Sequence, residues 1–177
     1  MITLNAPTLT TSRLTLRAPA AQDWPAFRDF IAHPRSRFIR GDDMDEGKSW
    51  RAFCHLVGTW VARGYGSFVF TLQGSDQALG LTGPWHPIDW PEAELGWTVW
   101  SDAAEGKGYA HEAAAATRDH AFRDLGWKTA VSYIDPENAR SIALATRLGA
   151  VLDPAAATPP GDKPCLVFRH PKPAVRS

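Results

Sequence analysis

The stretch from Glu94 to Glu112, E-L-G-W-T-V-W-S-D-A-A-E-G-K-G-Y-A-H-E, constrains the possible folds more than any other part of the chain. Its first residues alternate as a half-buried strand does, and an Ala-rich helical pattern begins near Gly108. Between strand and helix, Gly106 and Gly108 allow backbone N–H groups to converge on one point. Because the N-terminus of the following helix adds a partial positive charge, this turn predicts a phosphate-binding site.

Hydrophobic periodicity predicts the remaining elements. Strands are expected at 9–17, 67–72, 78–83, 92–100, 128–134, 150–153 and 163–169. Helices are expected after a capping Asp23, over 46–63, over about 108–125, and after a capping Asp135. The resulting order, β-α-α-β-β-β-α-β-α-β-β, predicts one α/β domain with a mixed sheet.

Three local patterns add to these expectations. Three prolines between Pro84 and Pro91 predict an irregular segment after the third strand. Helix 46–63 carries an aromatic and aliphatic stripe that predicts a core-facing surface: Trp50, Phe53, Cys54, Val57, Trp60 and Val61. The polar segment 35–46 is expected either to be a solvated loop or to form a mobile rim over a substrate site.

Composition narrows the classes of partner and compartment. The 19 Lys and Arg residues equal the 19 Asp and Glu residues, so net charge favours no nucleic-acid partner. No apolar run approaches the length that spans a membrane, and the N-terminus lacks the pattern of a secretory signal. The two cysteines, Cys54 and Cys165, are expected to be free thiols in a reducing, cytoplasmic environment.

The sequence lacks the motifs of three other kinds of functional site. A P-loop would need Gly at position 101, where Ser101 stands, and Ser or Thr after Lys107, where Gly108 stands. The six His residues are scattered without metal-ligand spacing, so no metal is expected. The G-x-S-x-G motif of many serine hydrolases is absent.

Two motifs in order resemble the GNAT superfamily of N-acetyltransferases. E-G-K-G-Y-A-H-E-A is similar to its acetyl-CoA loop, with Glu105 where Gln or Arg is usual, and D-P-E-N-A-R-S-I-A-L-A-T-R-L-G-A is similar to its later motif. With the opening L-T-T-S-R-L-T-L-R-A-P, the chain resembles the branch containing the ribosomal-protein N-terminal acetyltransferases. The resemblance covers residues from about 8 to 170 and implies a single acetyltransferase domain over 1–177.

The resemblance implies a fold and a cofactor site. The fold would be a splayed, mostly antiparallel sheet of about seven strands with about four helices, open beside strand 128–134. Acetyl-CoA would be the co-substrate, with its pantetheine arm in that opening. A bulge would free backbone N–H groups at Trp97, Thr98 and Val99. The residues expected to hold the diphosphate are Glu105, Gly106, Lys107, Gly108, Tyr109 and Ala110.

Acetyl transfer to an amine also requires a base and an acid. Glu94 is the first candidate for the base, with Glu92, Asp89 and His86 as alternatives. Many family members place a Tyr where this chain has Ala145, so Ser141 is expected to protonate the departing thiolate instead. Asn138 is expected to contact the pantetheine arm or to cap the last helix, and both roles are compatible. Tyr109 and Tyr133 remain spare donors.

The sequence therefore predicts an N-acetyltransferase that moves an acetyl group directly from acetyl-CoA to a primary amine. The acceptor is a protein N-terminus or a small molecule, contacted by Trp85, His86 and Trp90. No nucleic-acid or membrane partner is expected, and the protein would be a monomer or homodimer. The alternative is a non-catalytic acyl-CoA-binding module on the same fold, which Glu105 and the absent Tyr would favour and the Asn138–Ser141 pair would disfavour.

Overall fold

The computed structural model describes residues 6–41, 43–161 and 163–173 and contains one mixed sheet. Its strands are β1 Leu9–Thr10, β2 Leu14–Arg17, β3 Phe68–Leu72, β4 Gly80–Trp85, β5 Glu94–Val99, β6 Val131–Ile134, β7 Val151–Leu152 and β8 Leu166–Arg169. Their spatial order is β1-β2-β3-β4-β5-β6-β8-β7, and every neighbouring pair is antiparallel except β5 and β6. The mixed, mostly antiparallel sheet is confirmed.

The sheet has eight described strands rather than about seven, because the predicted first strand is a hairpin. Thr11 N–H donates to the Leu14 carbonyl at 3.0 Å, and this tight turn lets Leu9 pair with Leu16. Alternation of apolar residues is the same in one strand or two, so the pattern of 9–17 did not reveal the reversal.

In the described part of the chain, four α-helices flank the sheet, as expected: α1 Trp24–Ala32, α2 Glu46–Arg63, α3 Tyr109–Arg123 and α4 Ala139–Arg147. On one side, Val69 of β3 packs in a cluster with α1 and α2, where the Phe27 and Phe53 rings are 5.6 Å apart. On the other side, Phe68 and Phe70 pack in a cluster with Ala113 of α3.

The boundaries of α2 follow local chemistry. The Asp45 side chain accepts a hydrogen bond from Lys48 N–H at 2.6 Å, and Gly64 ends the helix with φ of 72°. The predicted core stripe is wrong for three of its six residues: Trp50 and Val61 are 47% and 51% exposed, and Cys54 is also exposed. At about 100° per residue these three share one flank of the helix, while Phe53 and Trp60 lie on the neighbouring flank that meets the core.

Neither predicted aspartate cap has that role. Asp23 is buried and accepts hydrogen bonds from both Arg17 Nη atoms at 2.8 Å, so it anchors β2 rather than capping α1. Asp135 accepts from Glu137 N–H at 2.8 Å within the turn before α4. The cap of α4 is Asn138, whose Oδ1 accepts from Ser141 N–H at 3.2 Å.

The proline segment is more regular at its start than predicted. Pro84 and Trp85 belong to β4 and pair with Leu95 and Glu94. Pairing between β3 and β4 reaches only Thr82. At Pro84 the side of β4 that faces β3 therefore has no strand hydrogen bonds, and the missing N–H of proline costs none. This extension brings Trp85 beside Glu94.

Close packing of α3 on β4 depends on Gly83. Its φ is 126°, and a Cβ there would lie 3.3 Å from Cβ and Cγ2 of Thr117 in α3. The absence of a side chain at Gly83 therefore lets α3 pack directly on the middle of the sheet.

Candidate active site

The sheet opens between β5 and β6, where the two parallel strands diverge. They pair at one position, Glu94 with Val131, and Val131 N–H donates to the Ala93 carbonyl at 3.1 Å. One residue further, the Leu95 carbonyl is bonded by a side chain instead, Ser132 Oγ at 2.6 Å. The expected splay is confirmed and lies between residues 95–99 and 132–134.

Backbone N–H groups of β5 face this opening without a bulge. The Leu95 carbonyl points toward β6, whereas the Gly96 carbonyl points toward β4 and accepts from Thr82 Oγ1 at 3.0 Å. Since directions alternate along a strand, the N–H groups of Trp97 and Val99 face the opening and that of Thr98 faces β4.

The predicted bulge is wrong, because β4 and β5 stay in register from Gly80–Val99 to Trp85–Glu94. Divergence of β6 alone frees the donors. Thr98 does not fit the predicted backbone role, and its hydroxyl accepts from Trp100 Nε1 at 2.9 Å.

The glycine loop, residues 105–110, has a backbone conformation that points several N–H groups toward one place. Gly106 and Gly108 have φ of 70° and 78°, and Gly108 directly precedes α3. Within the described residues, the backbone N–H groups from Gly106 to His111 have no hydrogen-bond acceptor. Together with the start of a helix of fifteen residues, these donors fit a diphosphate.

Glu105 is held by arginines rather than by Lys107. Its Oε1 lies 2.8 Å from Arg140 Nη1 at the start of α4 and 3.5 Å from Arg35 Nε. Arg35 also pairs with Asp102 and belongs to segment 35–46, whose first part is a 3-10 helix, Pro34–Phe38. That part is therefore neither a solvated loop nor a free rim, because Arg35 binds Asp102 and Glu105 beside the glycine loop.

The glycine loop and the first turn of α3 lie against α4. Ala110 packs in a cluster with Leu144 and with Leu148, which directly follows α4, while the ring of Tyr109 lies under the Arg13 guanidinium at 4.6 Å. The Glu105–Arg140 ion pair joins the glycine loop to the start of α4. These contacts bring the glycine loop within reach of Ser141.

Ser141 is oriented from two sides. Its backbone N–H donates to the Asn138 cap, and its Oγ accepts from Trp97 Nε1 at 3.1 Å. An indole N–H can only donate, so the Ser141 hydroxyl is the acceptor and its own proton is available for another partner. The side chain of Trp97 thus joins β5 to α4 across the opening.

Glu94 lies on the opposite side of the sheet in an enclosed setting. Its Oε2 accepts from Trp90 Nε1 at 2.6 Å, and it also accepts a hydrogen bond from the Tyr133 backbone. Burial raises the pKa of Glu94 to about 7 against the lowering effect of these two donors. A carboxylate with such a pKa can accept a proton near neutral pH.

The three predicted acceptor contacts have different positions. Trp90 touches Glu94 directly, and its ring lies 6.3 Å from that of Tyr133. His86 Nε2 contacts the Trp90 carbonyl at 3.3 Å, so it supports Trp90 from behind. Trp85 is the strand partner of Glu94, and its ring packs on His55 of α2 at 4.9 Å.

The alternative bases fit the structure less well. Glu92 is bonded by both Arg169 Nη atoms at 2.7 and 2.9 Å, and this pairing lowers its pKa. Asp89 lines a separate 300 Å³ surface cavity with His55, His86 and Ile88. Glu94 is the carboxyl group at the opening between β5 and β6.

Tyr133, expected from the sequence as a spare donor, and Cys165, which no motif singled out, both lie near Glu94. The Tyr133 hydroxyl is buried without a hydrogen-bond partner in the described part of the chain, and burial raises its pKa to about 12. Burial also raises the pKa of Cys165, and the nearby Glu94 acts in the same direction. The two-residue alternation from Val131 could have placed Tyr133 beside Glu94, whereas no local signal marked Cys165.

The arrangement of the described residues supports neither a metal-ligand cluster nor a membrane-spanning helix. No group of three or more His, Cys, Asp or Glu residues is arranged to hold a metal ion in ranges 6–41, 43–161 and 163–173. Among the same residues, no helix has the length and hydropathy to cross a membrane.

Comparison with known proteins gives consistent matches. The family model for the acetyltransferase (GNAT) domain matches residues 13–151. An acetyltransferase from Agrobacterium tumefaciens str. C58 is 42% identical, with a TM-score of 0.87 over 97% of this chain and 98% of that one.

Two more distant structures share the fold. The ribosomal-protein-S5-alanine acetyltransferase from Vibrio fischeri is 14% identical, with a TM-score of 0.68 over 92% of this chain and 95% of its own. The ribosomal L7/L12 alpha-N-protein acetyltransferase RimL, in complex with coenzyme A, is 17% identical, with a TM-score of 0.71 over 94% of this chain and 98% of its own.

Proposed function

Because this chain belongs to the GNAT family of N-acetyltransferases, we propose that it transfers an acetyl group from acetyl-CoA directly to a primary amine. The observation that carries the proposal is the placement of Glu94 and Ser141 at the opening between β5 and β6, beside free backbone donors. Acetyl-CoA supplies the acetyl group as a thioester. We propose that the chain is a single acetyltransferase domain with one active site. The protein would act in the cytoplasm as a monomer or a homodimer.

The glycine loop holds the diphosphate. Its N–H groups from Gly106 to Ala110 have no acceptor within the described residues, and the N-terminus of α3 adds favourable charge. Arg140 and Arg35 neutralise Glu105, so its carboxylate does not oppose the phosphates at full charge.

The opening between β5 and β6 receives the pantetheine arm and the thioester. Trp97 N–H and Val99 N–H are unused by the sheet and donate to the arm or to the oxygen that becomes negative during attack. Donors fixed on a strand need no reorientation as that charge develops. Asn138 keeps the first turn of α4 in place beside them.

Glu94 removes the proton from the attacking amine, directly or through a water molecule. The amine must be neutral to attack, and a base with a pKa of about 7 accepts its proton near neutral pH. Trp90 fixes the orientation of the carboxylate through its short hydrogen bond. Trp85 and Trp90 supply an aromatic surface on the acceptor side, and His86 supports Trp90.

Ser141 donates the proton that the leaving thiolate needs, and its oxygen takes up a proton from solvent as the thiol forms. Its hydroxyl proton is free because the indole of Trp97 occupies the oxygen as a donor. The base and the acid lie on opposite faces of the sheet, so proton removal and proton delivery occur on opposite sides of the thioester.

Release of free thiol from acetyl-CoA tests the proposal with a panel of acceptors. The panel contains a polyamine, an aminoglycoside, amino-acid analogues and peptides with free N-termini. For the accepted amine, Glu94→Gln should lower kcat/KM at pH 8 by about 10²-fold, the usual contribution of a general base. Asp29→Asn, which removes an exposed carboxylate on α1, is the matched control and should leave kcat/KM unchanged.

The same measurements decide against the alternative. A non-catalytic acyl-CoA-binding module would bind CoA in a titration yet release no thiol above the uncatalysed rate with any amine. That result would reject the proposed function while leaving the cofactor site intact.

A further inference from the structure

Arg13, at the turn between β1 and β2, contacts the glycine loop with its side chain. Its Nη1 donates to the Lys107 carbonyl at 3.0 Å, and its guanidinium lies 4.6 Å from the centre of the Tyr109 ring. The Arg13 carbonyl accepts from Gln73 N–H at 2.9 Å, which ties this turn to β3. Arg13 therefore reaches the cofactor loop from a rigid part of the sheet, ninety-four residues away in sequence.

Glu112, in the first turn of α3, anchors the Arg13 side chain. Its Oε2 accepts from Arg13 Nε at 2.6 Å and lies 2.6 Å from Nη2. Its Oε1 accepts from Thr11 Oγ1, Ser12 Oγ and Arg13 N–H at 2.6, 3.0 and 3.0 Å. Burial by itself would raise the pKa of Glu112, but these donors outweigh it and lower the pKa to about 2. The carboxylate is thus charged at neutral pH.

The contact to Lys107 sets the orientation of one peptide unit. The carbonyl of Lys107 and the N–H of Gly108 belong to the same planar trans peptide and point in opposite directions. When Arg13 holds the carbonyl on its side, the Gly108 N–H must point away from Arg13, toward the other free donors of the loop. Flanking glycines would otherwise allow this peptide to rotate.

We propose that Arg13 and Glu112 are positioning residues, which lock the Lys107–Gly108 peptide with its N–H toward the diphosphate of CoA. The inference rests on the proposed function, because it takes the loop as the diphosphate site. It assigns a binding consequence to a contact between the first hairpin and α3 that would otherwise be purely structural.

Charge balance supports the same assignment. Glu112 is close to the helix N-terminus, where an uncompensated carboxylate would repel a bound diphosphate. Arg13 pairs with it through two nitrogen atoms, so the net charge of the pair beside the site is near zero. Loss of Arg13 would both release the peptide and expose this negative charge.

Equilibrium binding of CoA and of pantetheine, followed by tryptophan fluorescence, tests the proposal without knowledge of the acceptor. Pantetheine lacks the diphosphate. In Arg13→Met, the Kd for CoA should rise at least about tenfold, the loss of one well-placed charged contact, while the Kd for pantetheine stays within twofold. Arg28→Met, which removes an exposed arginine of α1, is the matched control and should change neither Kd.

Glu112→Gln gives the sharpest result, since simple electrostatics predicts the opposite sign. Removing a negative charge near a diphosphate should tighten CoA binding if Glu112 only repels. If Glu112 anchors Arg13, the Kd for CoA should instead rise at least about threefold. Tighter binding in this variant would overturn the proposal.

Arg13→Lys keeps a charge for Glu112 but lacks the second nitrogen needed to reach Lys107, so it should fold normally and still bind CoA more weakly.

Two further outcomes distinguish failure of this proposal from failure of the proposed function. Equal weakening of CoA and pantetheine binding in the variants would show general damage and reject the positioning role. Absence of CoA binding by the unmodified protein would reject the proposed function itself.

Discussion

Glu94→Gln should separate the catalytic value of this half-buried carboxylate from its cost to stability. The amide has nearly the same shape and its oxygen still accepts from Trp90 Nε1, which lies 2.6 Å from the carboxylate in the unmodified protein. What changes is the ionisation. Burial raises the pKa of Glu94 from an ordinary value of 4.5 to about 7, so folding favours the protonated form.

The magnitude follows from this difference in pKa. At 1.36 kcal/mol for each unit, keeping Glu94 ionised in the folded protein costs up to about 3 kcal/mol. The sign is that of a raised pKa: the cost is absent below pH 4.5, grows between pH 4.5 and 7, and is complete above pH 7. Glu94→Gln should therefore match the unmodified protein near pH 4 and exceed it by up to about 3 kcal/mol near pH 8.

Urea unfolding of both proteins at several pH values provides the assay. The other carboxyl groups, including the strongly stabilised Glu112, titrate equally in both proteins and cancel in the difference. Activity with the accepted amine should fall in the same variant at pH 8. A stability difference that does not change between pH 4 and pH 8 would refute the argument that burial raises the pKa of Glu94.

Three further predictions concern the groups around this centre. Ser141→Ala should lower kcat by about 10²-fold when chemistry limits the rate, with the Kd for CoA within twofold, as single-turnover and binding measurements can show. Unchanged kcat would remove Ser141 from the acid role. Trp90→Phe removes a donor that lowers the pKa of Glu94, so the rising limb of kcat/KM against pH should move upward by about one unit; a downward or absent shift contradicts this. Glu105→Gln should tighten CoA binding up to about fivefold at low salt, because Arg140 and Arg35 become free for the phosphates, and calorimetry at two salt concentrations would expose the opposite sign.

Local features were predictable where a few neighbouring residues decide them. Asp45 and Gly64 set the two ends of α2, and the paired glycines before α3 set a turn with left-handed backbone. Alternation in 94–100 also puts the side chains of Trp97 and Glu94 on opposite faces of β5, where the structure shows them bonded to Ser141 and Trp90. These outcomes depend on hydrogen bonds and periodicities that span four residues or fewer.

Predictions failed where a distant partner competes for a residue. Asp23 has the local pattern of a cap, but Arg17 on the neighbouring strand binds it more strongly. The predicted core stripe of α2 included one exposed flank, because the contacts with the adjoining helix and sheet decide which flank is buried. The expected bulge was unnecessary, because the divergence of β6 already frees the N–H groups of β5.

The sequence alone therefore determined the order of elements after the first hairpin, the glycine loop and the residue types that acetyl transfer requires. Only the tertiary structure decided their properties. Burial between strands raises the pKa of Glu94, Arg140 and Arg35 neutralise Glu105, and Arg13 reaches Lys107 across ninety-four residues. The physical reason is that desolvation and ion pairing depend on distances through space. Folding sets those distances between residues that are far apart in sequence, and no local sequence pattern links them.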